Sequence, residues 1–359
     1  MTHKISEEDF AAVGGALGND AQLFEGRRVL ITGGSGFLGA SMVGVLHFLN
    51  RRVLQRPCRV LSLDNYITGS RAGLLGEFAD EHIRVEEADV SLPLNIRENF
   101  DFIIHAAGIA SPAYYRKFPL ETIDAAVAGT KNLLEYARRN PAASFLFLSS
   151  SEIYGDPAPE FIPTSEHYRG NVSCTGPRAC YDESKRLAET LCMTYRHLYG
   201  MPIKIVRPFN VYGPGIKQDD YRVIPAFIAR SLAGEPLPVH GKGDQTRTFC
   251  YVSDAIAGFL KVLLSGTPGE PYNVGTDKEE ISMKDLALHV RDAAGSASPI
   301  QCVDYPDTYP ADEPRRRCPD LSKIKGELGY GPTVDLRTGL GRTIQWWRDT
   351  YGGAEKNRG

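Results

Sequence analysis

The sequence has no spacing that would gather its cysteines or histidines around a metal. Seven cysteines stand singly, at Cys58, Cys174, Cys180, Cys192, Cys250, Cys302 and Cys318, without a CxxC pair. Eight histidines form no HxxxH pair. Neither a zinc site nor a disulfide framework is indicated, and an odd, scattered cysteine set fits a reducing compartment. No stretch approaches the roughly 18–20 apolar residues of a membrane span. The N-terminal MTHKISEEDFAAVGGALGND lacks a basic head followed by an apolar run, so it does not read as a signal peptide. A cytoplasmic protein is expected, with no membrane partner. The net charge of −3 offers no broad basic surface for nucleic acid, although a local basic site for a phosphorylated ligand stays open.

What is present reads as an ordinary globular chain. Hydrophobic residues make up 42% and charged residues 24% of 359 positions. That length exceeds one usual core, so two lobes are expected. Residues 1–25 read as an extension with a short helix from Glu7 to Leu17. Strand patterns follow at RVLIT (28–32), CRVLSLD (58–64), IRVEEAD (83–89), FDFIIH (100–105), SFLFLSS (144–150) and IKIVRPF (203–209). Helical patterns lie after the first strand, near 119–140 and at 177–199. Short apolar strands alternating with helices predict a parallel sheet covered on both faces. The fold class is therefore α/β: a Rossmann-type, doubly wound parallel sheet with a smaller, mostly C-terminal substrate-binding lobe. Residues 26–210 form the dinucleotide-binding domain carrying the catalytic residues, 211–350 mainly the second lobe, and 351–359 a tail. One late strand near 271–275 is expected to rejoin the sheet.

Gly33, Gly36 and Gly39 form GxxGxxG between the first strand and a helix. Such glycines allow a tight turn, close approach of backbone to a pyrophosphate, and close helix–strand packing. The helix start, with Phe37 and Leu38, then offers free N–H groups to phosphate. Asp64 ends the second strand, where a carboxylate accepts from both ribose hydroxyls and repels a 2′-phosphate, favouring NAD over NADP. Asp89 ends the third strand, within reach of an adenine amino group. Asn65, Val90, Ala106 and Ala107 complete the expected cofactor groove.

The segment CYDESKRLAETL places Tyr181 and Lys185 four apart, on one helix face. A phenol is a poor base at neutral pH, and a neighbouring ammonium favours its phenolate. Tyr181 is then the expected base for a sugar hydroxyl, and both residues also face the cofactor. The serines 149–151 end the fifth strand, where a hydroxyl can share the substrate oxygen with Tyr181.

Together, Gly33–Gly39, LDNYITGS, HAAGIASP, SSSEIYGDP, Tyr181/Lys185 and RPFNVYGP resemble the extended short-chain dehydrogenase/reductase family across about residues 26–348. Within it, SSSEIYGDP, GPRACYDESKRLAE, GDQTRTFCYVSD and RRCPDLSKIKGELGY most resemble the UDP-glucuronate decarboxylases. The resemblance implies retained NAD, a UDP-sugar substrate, and a homodimer packed through the helix of Tyr181. It makes Ser150 the hydroxyl partner of Tyr181 and puts Glu152 beside sugar C5. It puts Asn210 at the diphosphate, Arg222 and Arg247 on the nucleotide, and Arg317 at the sugar carboxylate, with Ser111 also on the substrate. Departures from the family pattern fall at Ala126, at His167–Gly170 and at Cys318, positions expected near the sugar end.

Rival chemistries share the first step. A 4,6-dehydratase needs an acid where Ser151 stands, and a hydroxyl is a poor one. A simple 4-epimerase has no need of Glu152, which leaves a uronic acid 4-epimerase as the alternative. A non-catalytic NAD-sensing scaffold would be expected to lack Tyr181 or Lys185, and both are present.

Overall fold

The computed structural model describes residues 2–69, 74–305 and 313–352. The expected tail beyond 352, and 306–312 of the turn-rich segment before Arg317, lie outside the described residues. Ten helices are labelled α1 (Lys4–Leu17), α2 (Phe37–Arg52), α3 (Pro112–Lys117), α4 (Pro119–Arg139), α5 (Ala179–Tyr199), α6 (Val223–Ala233), α7 (Val252–Ser265), α8 (Met283–Ala293), α9 (Ser322–Leu328) and α10 (Leu336–Tyr351). The long strands are β1 (Arg28–Thr32), β2 (Arg59–Asp64), β3 (Ile83–Glu87), β4 (Phe102–His105), β5 (Ser144–Leu148) and β6 (Ile203–Pro208). Shorter ones follow: β7 (Val211–Tyr212), β8 (Leu237–His240), β9 (Thr246–Arg247), β10 (Cys250–Tyr251), β11 (Pro271–Val274), β12 (Ile281–Ser282), β13 (Ile300–Val303) and β14 (Arg316–Arg317).

A seven-stranded sheet runs in the order β11-β6-β5-β4-β1-β2-β3, and each pairing is parallel. Parallel strands buried on both faces need apolar residues at every position, as β5 shows with all five residues buried. Its Phe145 and Phe147 join the core under α4 and α5, with Leu133, Leu134, Ala188 and Cys192. Its Leu146 and Leu148 join the opposite core, with Met42 and Leu46 of α2 and Phe259 and Leu263 of α7. The two-residue period of a strand thus divides one apolar run between two cores. β11 returns to the sheet edge beside β6, and α7 before it packs on the same sheet.

The second lobe is built from α6, α8 and short strands. In its three-stranded sheet β14 runs parallel to β9, with Thr246 opposite Arg316 and Arg247 opposite Arg317. Two arginines distant in sequence are thereby set side by side over the strand ends of the large sheet.

Helix α1 lies against α2 and α7. Gly44 of α2 makes the contact possible, since a Cβ there would meet the Phe10 ring at 2.3 Å. Asp9 accepts from Tyr251 Oη at 2.8 Å and Arg342 Nη2 at 2.9 Å, joining α1 to β10 and α10. Burial pushes the Asp9 carboxyl up to about 6, against the pull of Arg342. Because α2 also opens with the glycine loop, α1 supports the helix that frames the expected cofactor groove. Gly44→Ala is expected to lower unfolding free energy by about 1–3 kcal/mol through overpacking against Phe10. Urea denaturation checks this, and an unchanged midpoint contradicts the packing argument.

Candidate active site

The glycine loop is held by contacts that leave no room for side chains. Gly33 has φ 75°, and a Cβ on it would lie 2.6 Å from the Ala107 backbone. A Cβ on Gly39 would lie 2.1 Å from the Gly33 carbonyl oxygen. Asp64 accepts from the Ser35 N–H and the Tyr66 N–H, each at 2.8 Å, and so fixes the loop to the end of β2. Asp89 accepts from Asn65 Nδ2 at 3.1 Å and from Ser91. His105 lies behind the loop, bonded to Thr32 and Thr130. Burial and Lys185 lower its pKa to about 3, so the ring is a neutral link between β1, β4 and α4.

Gly33, Gly36, Phe37, Leu38, Gly39, Asp64, Asn65, Asp89, Val90, Ala106 and Ala107 all line one cavity of about 230 Å³. Ser111, expected on the substrate side, lines this cavity too, from the residue position just before α3. The hydroxyls of Ser35 and Ser111 are buried there without a protein partner. Backbone space at the glycines, a carboxylate at each of two strand ends and unpartnered donors suit a dinucleotide. A second cavity of about 500 Å³ shares Leu38, Ala106, Gly108, Ala110 and Arg222 with the first. Whatever occupies one therefore meets whatever occupies the other.

The second cavity gathers Ser150, Glu152, Tyr181, Lys185, Asn210, Arg222, Arg247 and Arg317. Tyr181 is buried on α5, its ring stacked on Tyr115 at 5.4 Å between centroids. At Tyr181 burial outweighs the charges that favour a phenolate. Burial pushes Tyr181 up to about 12, only partly offset by a hydrogen bond with Ser150. Lys185 Nζ lies 6.0 Å from the Tyr181 ring centroid and donates to the Leu148 carbonyl at 2.8 Å. Burial lowers its pKa to about 8. Both groups are desolvated, so a phenolate needs further positive charge nearby.

At the far wall lies a buried ionic cluster. Arg317 Nη2 donates to Glu152 at 2.7 Å and to Glu313 at 3.2 Å. Arg178 donates to both Glu152 and Glu313, and sits 3.4 Å from Asp182. Arg247 donates to Glu313 at 3.1 Å and to the carbonyls of Pro314 and Arg315. It thus fixes the chain leading to Arg317, besides lining the cavity. Burial would raise the Glu313 carboxyl, but Arg317, Arg178 and Arg247 hold it well below its usual range. Asn210 donates to the Thr248 carbonyl at 3.0 Å, and Arg222 is paired with Asp220 at 2.6 Å.

Sequence reasoning missed Arg178, Glu313 and Tyr115. Arg178 stands one helical turn before Tyr181, and Glu313 four residues before Arg317, so spacing was an available signal for both. The departures from the family pattern at Ala126, in His167–Gly170 and at Cys318 have core or backbone partners in the structure. Ala126 is buried in α4 with its carbonyl accepting from Thr130; Arg169 gives its carbonyl to Arg186; the Cys318 carbonyl accepts from the Thr164 N–H. None of the three lines the cavity among the described residues. Nor do the described residues hold a metal-like cluster of His, Cys, Asp or Glu.

Arg178→Ala would leave Glu152 and Glu313 buried with a partner removed. Such a change is expected to lower stability by about 3–5 kcal/mol. Urea denaturation measures it, and a loss under about 1 kcal/mol would show the cluster to be solvated and weak.

The geometry has close parallels. The dTDP-glucose 4,6-dehydratase of Streptomyces venezuelae, solved with NAD bound, superimposes with a TM-score of 0.80 at 28% identity, covering 91% of this chain and 98% of that one. The UDP-glucose 4-epimerase of Thermotoga maritima shares the fold, with a TM-score of 0.79 at 24% identity over 90% and 99% of the two chains. In sequence, UDP-glucuronic acid decarboxylase 3 of Arabidopsis thaliana is 41% identical over 313 residues, 87% of this chain and 86% of its own length. UDP-glucuronic acid decarboxylase 1 of Xenopus tropicalis is 38% identical over 90% of this chain and 72% of its own length. The profile of the NAD dependent epimerase/dehydratase family matches residues 29–275. With that match spanning the glycine loop, the Tyr181–Lys185 helix and the returning edge strand, the chain belongs to the NAD dependent epimerase/dehydratase family.

Proposed function

We propose that this protein decarboxylates UDP-glucuronate to UDP-xylose with NAD retained through the cycle. The observation carrying this reading is the guanidinium cluster of Arg178, Arg247 and Arg317 lining the same cavity as Tyr181 and Ser150. An uncharged hexose has no use for three buried arginines, whereas a sugar carboxylate does. The decarboxylase relatives at 37–41% identity support the same substrate.

The groove of Gly33–Gly39, Asp64 and Asp89 would hold NAD, which, when bound, supplies a hydride acceptor and a positive ring beside the phenol. Tyr181 removes the proton of the C4 hydroxyl, with Ser150 sharing that oxygen. Once C4 is a ketone, C6 is the carboxylate of a β-keto acid. Arg317 orients it, and the C5–C6 bond breaks as carbon dioxide leaves. The electron pair passes to the C4 oxygen, where Tyr181 and Ser150 stabilise the enolate. Glu152 stands beside C5, where a proton returns, and C4 is reduced again. Lys185, tied to the Leu148 carbonyl, keeps a buried cation behind the tyrosine. Asn210 and Arg222 serve the nucleotide side, and Arg247 fixes the chain that carries Arg317.

The protein acts as a homodimer in this reading. Helices α4 and α5 pack together and leave Leu120, Ile123, Leu187 and Leu198 exposed, an apolar face suited to a second copy. Seven free cysteines suit a cytoplasmic site of action.

Three measurements test these roles. NAD is expected to bind far better than NADP, and Asp64→Ala to narrow the gap; equal affinities of the parent would contradict the role of Asp64. Incubation with UDP-glucuronate is expected to give carbon dioxide and a UDP-pentose, followed by NMR. UDP-galacturonate without carbon dioxide would instead assign a 4-epimerase. Tyr181→Phe is expected to keep NAD binding and lose turnover by roughly two to four orders of magnitude. Near-parent turnover removes Tyr181 from the chemistry.

A further inference from the structure

Glu313 lines the same cavity as Tyr181 and Ser150, and three guanidinium groups converge on its carboxylate. A carboxylate inside a substrate cavity, bound by the arginines that a substrate carboxylate would need, occupies an anion site. The fit of Arg317 to this arrangement is incomplete. Its Nη2 is divided between Glu152 and Glu313, while its Nε is buried without a hydrogen-bond partner. The side chain is nine-tenths buried, so water does not compensate freely. Arginine binds a carboxylate best through two parallel N–H groups, and an incoming carboxylate can reach Nε and Nη2 together. Charge points the same way. Three arginines already face Glu152, Glu313 and Asp182, leaving little net attraction for another anion while Glu313 stays in place.

We propose that Glu313 is a specificity-determining residue that holds the uronate carboxylate's arginine site until a sugar carboxylate displaces it. This rests on the uronate reading above. Glu313 acts as an internal competitor. It keeps Arg178, Arg247 and Arg317 oriented and neutralised when no uronate is bound. A neutral sugar at C6 cannot take over its ion pairs, so it gains nothing from the site. A uronate exchanges one carboxylate for another and gains the contacts at Nε and Nη2. The apparent affinity for uronate is reduced by the fraction of protein in which Glu313 occupies the site.

The test compares the NAD-loaded parent with Glu313→Gln, which keeps the shape and removes the charge. Turnover of UDP-glucuronate by the parent is established first; an inactive parent overturns the decarboxylase reading and this inference with it. Binding is then measured by calorimetry in the Tyr181→Phe background, so that no turnover intervenes. Glu313→Gln is expected to tighten UDP-glucuronate about tenfold and to leave UDP and UDP-glucose within about twofold, a selective change of the size expected for removal of one competitor. In the Tyr181 enzyme the KM for UDP-glucuronate falls and kcat does not rise. Glu313→Asp, which keeps the charge, binds like the parent. If the glutamine variant fails to retain NAD or to melt cooperatively, Glu313→Ala is read in its place. With an active parent, unchanged or weaker uronate binding overturns the inference, because Glu313 would then only brace the arginines. Equal tightening of UDP, UDP-glucose and UDP-glucuronate overturns it as well, because the effect would not concern the carboxylate.

Discussion

The wall of the sugar cavity is a buried set of ion pairs in which Arg178, Arg247 and Arg317 meet Glu152 and Glu313. Burying that much charge is unfavourable unless every partner is in place. The cluster therefore makes strict demands on the fold. Glu152 comes from the turn after β5, Arg178 from the start of α5, Arg247 from β9 and Arg317 from β14. The large sheet supplies two of these and the second lobe the other two. The parallel pairing of β9 with β14 is what brings Arg247 beside Arg317. In this sense the second lobe is held over the strand ends by the same charges that face the substrate.

The same cavity wall sets the condition on the tyrosine. Burial raises the Tyr181 phenol and lowers Lys185, so it works against the charged form of each group. That arrangement suits a reaction whose intermediate, a β-keto acid, must not meet bulk water. The contiguous cavities, joined at Leu38, Ala106 and Arg222, give the cofactor groove and the sugar pocket one common wall.

Much of the fold was legible because its signals are local. Strand-length apolar runs between helical segments specify a parallel sheet, and GxxGxxG after a strand specifies the turn that Gly33 and Gly39 make. Tyr181 and Lys185 share a helix face by spacing alone. The charge cluster was less legible, because most of its contacts join residues 26 to 165 positions apart in sequence. Arg317 was found through a family motif. Arg178 and Glu313 were not, although each stands one helical turn or four residues from a residue that was; their spacing alone does not show which distant charges they meet. The burial of Tyr181 was not legible for a related reason. Spacing shows that the residues adjoin, but desolvation depends on what covers them, here Tyr115 and the second lobe. Ala126, Arg169 and Cys318, where the chain departs from the family pattern, take part in core and backbone pairings.

The central claim is that the arginine cluster holds a sugar carboxylate while C4 is transiently a ketone, and that carbon dioxide leaves before C4 is reduced. Turnover of UDP-glucuronate in heavy water tests this most directly, with the product read by NMR. The account requires one deuterium at C5 of the pentose and none at C4, since C5 is protonated from solvent-exchanging groups and C4 is not. Deuterium at C4, or a pentose without deuterium at C5, would contradict it.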